Sequence, residues 1–460
     1  MTEKMQRYSL IFGPLAALLV GWLLRDGGWQ LQACFAAGVT VLCAIWWVFE
    51  PIPIAATSLL PLGGFPLLGV LDGQQIASAY GSPIILLLVG GAMMSKSMEK
   101  TGAHRRIALW MIHGFGTSSL RQLVFGFMAA SAFLSMWISN TATTLMLVPV
   151  AMAVLETSNN RRLAVALLLG IAYAASIGGL ATPIGTPPNL IFLSVYQEVT
   201  GREISFVEWM GIGLPVVLVL LPVAALWLTR GLGVSGNVGI DGVGKITSGE
   251  TRVLAIFTLV IIAWMTLKNP QGGWSGWLSL PYANYASVAF IAVIVMFICP
   301  DGDGGKLLDW PAASSIHWGV MILFAGGIAI AKAFMATGLS EALGQQLSAV
   351  ADWPLFAVIL AICLAVTLLT EVTSNTATTT LLMPILAAAA TTTSWDPALL
   401  MIPAALSASC AFMLPVATAP NAIIIASGKI RIADMMREGV VLNLLGALVI
   451  SALSYAMMAP

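Results

Sequence analysis

Ser139-Asn140-Thr141-Ala142-Thr143-Thr144 recurs without change as Ser374-Asn375-Thr376-Ala377-Thr378-Thr379, 235 positions further along the chain. Pro149 and Pro384 follow at the same offset. Upstream, Gly90-Gly91, Lys96 and Thr101-Gly102 match Gly326-Gly327, Lys332 and Thr337-Gly338 at an offset of 236. Downstream, Pro183-Ile184-Gly185-Thr186-Pro187-Pro188-Asn189 matches Pro415-Val416-Ala417-Thr418-Ala419-Pro420-Asn421 at 232. Three blocks in one order at a nearly constant offset mark an internal duplication.

The solvent around these blocks follows from composition. Of 460 residues, 59% are hydrophobic and 9% charged, against about 25% charged in an ordinary soluble domain. Twenty basic residues balance 20 acidic ones. A chain this poor in charge cannot cover itself in water, and it lacks the basic surface that nucleic acid requires. This excludes a soluble enzyme, a disordered chain and a nucleic-acid binder, and predicts an all-α polytopic membrane protein. The 44 glycines and 23 prolines are too many for a plain helical bundle. Five cysteines lie singly in apolar runs, with no CxxC pair, and the three histidines lack metal-ligand spacing.

A crossing helix needs about 20 apolar residues. Residues 8–24, 31–49, 53–71, 82–99, 163–181, 208–229, 251–268, 284–300, 316–336, 397–415 and 440–458 meet that need. The first, after Lys4 and Arg7, reads as a retained span within residues 1–30. Two further apolar stretches, 121–157 and 353–390, are each interrupted by one of the polar hexapeptides. Residues 231–250 hold seven glycines and read as a cytoplasmic linker. It separates a first repeat, 31–230, from a second, 251–460.

Orientation follows from the basic residues. With the N-terminus in the cytoplasm, and each interrupted stretch entering and leaving by one side, 16 of the 20 fall inside. Only Arg25, Arg202, Lys268 and Lys332 fall outside. The repeats are then inverted, with five crossings each and one extra helix at the start. The expected total is eleven transmembrane helices with two re-entrant hairpins and an extracytoplasmic C-terminus.

Ser, Asn and Thr compete for backbone hydrogen bonds and favour helix caps over helix interiors. Each interrupted stretch is therefore expected to break into two half-helices whose tip is Ser-Asn-Thr. The second half-helix opens with free amide groups and a partial positive charge. The Pro-rich blocks should unwind two further helices, at 163–200 and 397–428, with Gly185 permitting close backbone approach. Unwound chain at bilayer depth persists only where it is buried or lines a cavity, and inverted repeats of broken helices describe a secondary transporter. A lone Ser-Asn-Thr in a membrane helix would be read as packing; its recurrence in opposite orientation reverses that. Neither block holds Arg or Lys. An anion bound by neutral donors alone is poorly stabilised in a low dielectric, and a sodium ion beside it would supply the missing charge. Gly90-Gly91 and Gly326-Gly327 read as close helix packing, Lys96 and Lys332 as snorkelling side chains. Glu371, an intramembrane carboxylate, has Met136 as its repeat mate, so it is either functional or a structural feature outside the symmetric core.

The paired Ser-Asn-Thr motifs, each followed by Ala-Thr and each with a downstream Thr-x-Pro-Asn, resemble those of the divalent anion/sodium symporter family of INDY-type dicarboxylate and citrate transporters. The likeness covers nearly the whole chain. It implies a homodimer in the cell (inner) membrane whose transport domain moves by an elevator motion against a scaffold, here helices within 31–81 and 251–300. It implies uptake of C4 dicarboxylates such as succinate, malate or fumarate with sodium. Substrate contacts would fall on Ser139, Asn140, Thr141, Ser374, Asn375 and Thr376, with Thr186 and Thr418 bordering. One sodium site resembles Ser135, Ser139, Asn140 and Gly185, the other Thr370, Thr373, Asn375 and Ala417. Ala419 stands where the family pattern has a second proline, which leaves more room near the substrate. Sodium-independent exchange, and citrate or sulfate transport, remain alternatives within the family; an anion channel is the alternative of another class. An intramembrane enzyme lacks a nucleophile–base pair or metal cluster in this sequence.

Overall fold

The computed structural model describes residues 3–116, 118–156, 158, 160–233, 242, 244–269, 271–346, 353–392 and 395–458. Nine of the 20 residues of the linker expected at 231–250, namely 234–241 and 243, lie outside them. Among the described residues the regular structure is helical, apart from one isolated bridge between Pro300 and Lys306.

The first half begins with α1 (Glu3–Asp26) and α2 (Leu31–Phe49), which match the first two apolar runs. The run at 53–71 is not one helix. It divides into α3 (Ile54–Thr57) and α4 (Leu60–Leu67), because Pro61 in the first turn of α4 cannot donate to a continuous ladder; Pro53 precedes α3 and Pro66 lies within α4. Next come α5 (Gly73–Tyr80), opened by an Asp72–Gln75 capping box, and α6 (Pro83–Thr101), capped by Ser82 and ended by Gly102 at φ 76°. The amphipathic α7 (Ala103–Phe115) falls on no expected span. Then follow α8 (Leu120–Ser135), α9 (Asn140–Glu156), α10 (Arg161–Gly178), α11 (Pro187–Thr200) and α12 (Phe206–Thr229).

The second half repeats this order: α13 (Ser248–Met265), α14 (Gly273–Trp277), α15 (Tyr285–Ile298), α16 (Trp310–Ser314), α17 (Trp318–Thr337) and α18 (Leu339–Gln346) precede α19 (Leu355–Thr370) and α20 (Asn375–Thr392). The run at 397–415 ends early, as α21 (Ala398–Ala408), and resumes as α22 (Ala419–Ala426) before α23 (Ile432–Met458). Among the described residues, eight helical segments are long and apolar enough to cross a bilayer, and six shorter apolar ones accompany them. α8, α9, α19 and α21 are among the six, since breaking a run shortens its pieces.

At the centre lies α10, with every residue of 163–178 buried except Val165. Ser131 of α8 donates to the Ile171 carbonyl at 2.7 Å, fixing the two helices in register. The opposite extreme is α1, which leaves Tyr8, Ile11, Phe12, Leu15, Leu18 and Trp22 exposed, an apolar face suited to lipid.

Two glycines repeat one packing device. A Cβ on Gly213 of α12 would sit 2.2 Å from the Leu180 carbonyl oxygen, and one on Gly439 of α23 would sit 2.1 Å from that of Phe412. Leu180 and Phe412 are themselves 232 positions apart, the offset of the Pro-rich blocks. Each glycine lets a long helix rest directly on backbone next to an unwound segment. Gly439→Ala is expected to destabilise the protein by about 1–3 kcal/mol through overpacking. Thermal unfolding in detergent checks this, and an unchanged melting temperature would contradict it.

Polar ties join the helix ends. Buried Arg106 of α7 pairs with Glu250 at 2.8 Å and donates to the Gly244 and Lys245 carbonyls at 2.7 Å each, pinning the start of α13. Arg161 reaches both Asp434 oxygens at 3.0 and 2.8 Å, and Arg230 meets Glu438 at 2.6 Å. Lys100 bonds Asp309 at 2.6 Å, and that ammonium holds the Asp309 carboxyl below the usual carboxylate range. Lys332 pairs with Glu198 of α11 at 3.0 Å. Both lysines read as snorkelling are paired, Lys96 with Glu99 one turn further along α6 and Lys332 with Glu198 of another helix.

Candidate transport site

Both polar hexapeptides break their helices where the capping argument places the break. The chain leaves α8 after Ser135 and re-enters α9 at Asn140; it leaves α19 after Thr370 and re-enters α20 at Asn375. Ser139 acts as a cap: its hydroxyl accepts the Ala142 N–H at 3.2 Å and its carbonyl the Thr143 N–H at 3.0 Å. Ser374 likewise accepts the Thr378 N–H on its carbonyl at 2.9 Å.

The hydrogen bonds are duplicated along with the sequence. Ser135 Oγ donates to Asn140 Oδ1 at 2.5 Å, and Thr370 Oγ1 donates to Asn375 Oδ1 at 2.7 Å. Thr144 and Thr379 donate to the Asn140 and Asn375 carbonyls, both at 2.8 Å. A hydroxyl one turn earlier thus aims each asparagine amide, so Asn140 and Asn375 present preset polar groups at the two tips.

The Pro-rich blocks unwind as expected. After α10 the chain takes a short 3-10 turn (Gly179–Ala181) and leaves the helix until Pro187; after α21 it stays irregular until Ala419. Asn189 Nδ2 donates to the Gly179 and Thr182 carbonyls at 2.9 and 2.8 Å, and Asn421 Nδ2 to those of Ala411 and Leu414 at 3.0 Å each. These motif asparagines are structural clasps that give unwound carbonyls the donors they would otherwise lack. Gly185 has no room for a side chain, since a Cβ there would lie 2.5 Å from the Gly179 oxygen.

The four breaks meet at one cavity of about 330 Å³. All eight expected substrate-contact residues line it: Ser139, Asn140, Thr141, Ser374, Asn375, Thr376, Thr186 and Thr418. Of the expected sodium ligands, Ser139, Asn140, Gly185, Asn375 and Ala417 also line it. Ser135 and Thr370 lie buried behind the tips, against the asparagines they orient. The Thr373 hydroxyl is turned away, donating to the Leu369 carbonyl at 2.8 Å and lying 2.5 Å from Thr378 Oγ1. Ala419 is on the wall, beside Pro420 at the start of α22.

One group behind the site was not legible as a partner to anything. The Glu371 carboxylate accepts N–H bonds from Phe412, Met413 and Leu414 at 2.7, 2.8 and 2.9 Å, and from Asn443 Nδ2 at 2.6 Å. It thereby anchors the second unwound segment to the second tip. In the first half, Thr182 Oγ1 donates to the Met136 carbonyl at 2.5 Å instead. The buried hydroxyl of Tyr173 adds a bond to the Phe412 carbonyl at 2.5 Å. No local pattern announces these contacts, because the Glu371 partners lie 41 to 72 positions away.

The citrate-transporter family model matches residues 44–405. The sodium-dependent dicarboxylate transporter SdcS of Staphylococcus saprophyticus is 38% identical across 99% of this chain and 92% of its own length. The chain belongs to the divalent anion/sodium symporter family. SdcS of Staphylococcus aureus is likewise 38% identical, over 98% of this chain and 91% of its own. As a family member the protein is a multi-pass membrane transporter and not an enzyme, so the cavity is read as a transport site. Among solved structures, the YdaH transporter of Alcanivorax borkumensis aligns with a TM-score of 0.60 at 14% identity, covering 92% of this chain and 99% of YdaH. MtrF of Neisseria gonorrhoeae aligns at 0.58 and 12%, covering 87% and 85%. At these identities the likeness is one of fold.

Proposed function

We propose that the protein couples inward sodium movement to uptake of a C4 dicarboxylate such as succinate, malate or fumarate. The observation that carries this reading is the meeting of both Ser-Asn-Thr tips and both unwound loops at one cavity. A short dicarboxylate has one anionic group at each end, and the cavity offers one capped helix start, α9 or α20, for each. The tip hydroxyls and amides, with Thr186 and Thr418, donate to the carboxylates. Sodium, a hard cation, takes oxygens from Ser135, Ser139, Asn140 and Gly185 on one side and from Thr370, Thr373, Asn375 and Ala417 on the other. Each ion lowers the cost of desolvating the other, so binding is mutual. The relatives' name, sodium-dependent dicarboxylate transporter, supports both halves of this proposal.

The membrane arrangement we infer has eleven crossings, two re-entrant hairpins and an inverted repeat, with the N-terminus cytoplasmic. Its support is that ties between elements join residues it places on one side. Arg161–Asp434, Arg230–Glu438, Lys100–Asp309 and Arg106–Glu250 lie together inside. Lys268–Glu203 and Lys332–Glu198 lie together outside. On this arrangement the C-terminal half of α6 and the start of α17, which line the cavity, lie toward the cytoplasm. An elevator movement of a transport domain against scaffold helices within 31–81 and 251–300, in a homodimer, completes the proposal.

Purified protein in liposomes is expected to take up labelled succinate when a sodium gradient points inward, with saturable kinetics. Uptake unchanged when choline replaces sodium would replace symport by exchange. Flux that rises linearly with succinate would replace it by a channel.

A further inference from the structure

The binding blocks contain no basic residue, yet the cavity wall does. Among the described residues lining it, Lys96 and Glu99 are the charged side chains. They belong to one face of α6, which reaches the cavity through Leu88, Gly91, Ala92, Ser95, Lys96 and Glu99, a helical spacing. Gly91 fixes the depth of that face: a Cβ there would be 3.9 Å from Ile184 Cγ2, in the unwound loop of the site. At 1.5 Å per residue, Lys96 lies about 7.5 Å and Glu99 about 12 Å further along the axis. Because helical side chains lean toward the N-terminus, the Lys96 stem tilts back toward the binding floor.

Lys96 Nζ and Glu99 Oε2 are 2.7 Å apart, with side chains only 23% and 25% exposed. An i,i+3 pair in open water contributes little, but inside a cavity with low-dielectric walls its field is focused on whatever occupies that cavity. Along α6, Lys96 lies one turn nearer than Glu99 to the level at which Gly91 meets the unwound loop. On the arrangement inferred above, a dianion entering from the cytoplasm passes Glu99 before it reaches Lys96.

We propose that Lys96 and Glu99 together set anion affinity in the vestibule. Lys96 draws the dianion toward the tips, and Glu99 holds the ammonium back from full contact, so that the anion can leave. Lys96 is thus a specificity-determining residue for doubly charged substrates, in addition to the neutral donors of the tips. The proposal rests on the transport reading.

The test compares wild type with Lys96→Met, Lys96→Arg and Glu99→Gln, using calorimetric titration of succinate in sodium and turnover in liposomes. Lys96→Met is expected to weaken binding about tenfold and Lys96→Arg by less than about twofold. Glu99→Gln frees the ammonium, so binding tightens about tenfold while turnover slows. A merely structural pair would give small changes of the same sign for both partners. Glu99→Gln that leaves binding unchanged or weakens it overturns the proposal, and that variant carries the test even if Lys96→Met does not fold. So does Lys96→Met within twofold of wild type. Wild-type protein that binds no dicarboxylate in sodium overturns the transport reading itself, and this proposal with it.

Discussion

Asn375→Ala is expected to reduce sodium-driven uptake at least about a hundredfold while leaving the protein folded, and Asn140→Ala to do the same. Each asparagine stands at the first position of its half-helix, with its amide oxygen set by one hydroxyl, Ser135 or Thr370. In the proposed site that amide serves both ions: the oxygen faces sodium and the nitrogen a carboxylate. Each lost bond to a charged group costs about 1.5–3 kcal/mol, so two together exceed a hundredfold in binding. Stability should suffer little. The carbonyls of Asn140 and Asn375 keep their threonine bonds, and the side chains are only partly buried. Uptake measurements beside melting curves separate the two effects. Wild-type uptake in both variants would refute the site assignment.

Glu371→Ala is expected to be the most damaging single change away from the cavity lining, destabilising the fold by about 3–5 kcal/mol. Four donors converge on this carboxylate, three of them backbone amides of the second unwound segment. Truncation removes the acceptor of the Met413 and Leu414 amides and leaves Phe412 with only Asn443 Oδ1, at 3.2 Å. Glu371→Gln is milder for the fold, yet it keeps one acceptor oxygen and turns an NH2 group toward backbone N–H groups, which can only donate. The segment it disturbs leads into Ala417 and Thr418, so the glutamine variant should need more sodium for half-maximal uptake. Melting curves for the alanine variant and sodium titrations for the glutamine variant check this. Wild-type behaviour in both would show that Glu371 does not hold the loop.

The duplication made much of this legible. An exact polar repeat inside apolar sequence located both helix breaks within a residue or two, because capping preference acts locally and water-free surroundings punish any other use of those side chains. The Pro-rich blocks located the unwound segments for the same reason. What the sequence withheld was long-range. Asn189 and Asn421 were visible as motif residues, but their task as clasps depends on carbonyls seven and ten positions back in an irregular path. Glu371 carried no hint of Asn443, and Lys96 read as snorkelling because Glu99, one turn on, offered no sign that both would line the cavity. The division of 53–71 could have been anticipated, since Pro61 lies within it. The apolar count outweighed it, and in the fold the proline prevailed.

The central claim is that alkali cation and dicarboxylate stabilise each other between neutral helix ends. Thermal unfolding of the purified protein, with succinate titrated in sodium chloride and in choline chloride of equal ionic strength, tests it most directly. The account predicts a melting temperature that climbs with succinate in sodium and stays flat in choline. An equal climb in both salts would contradict it.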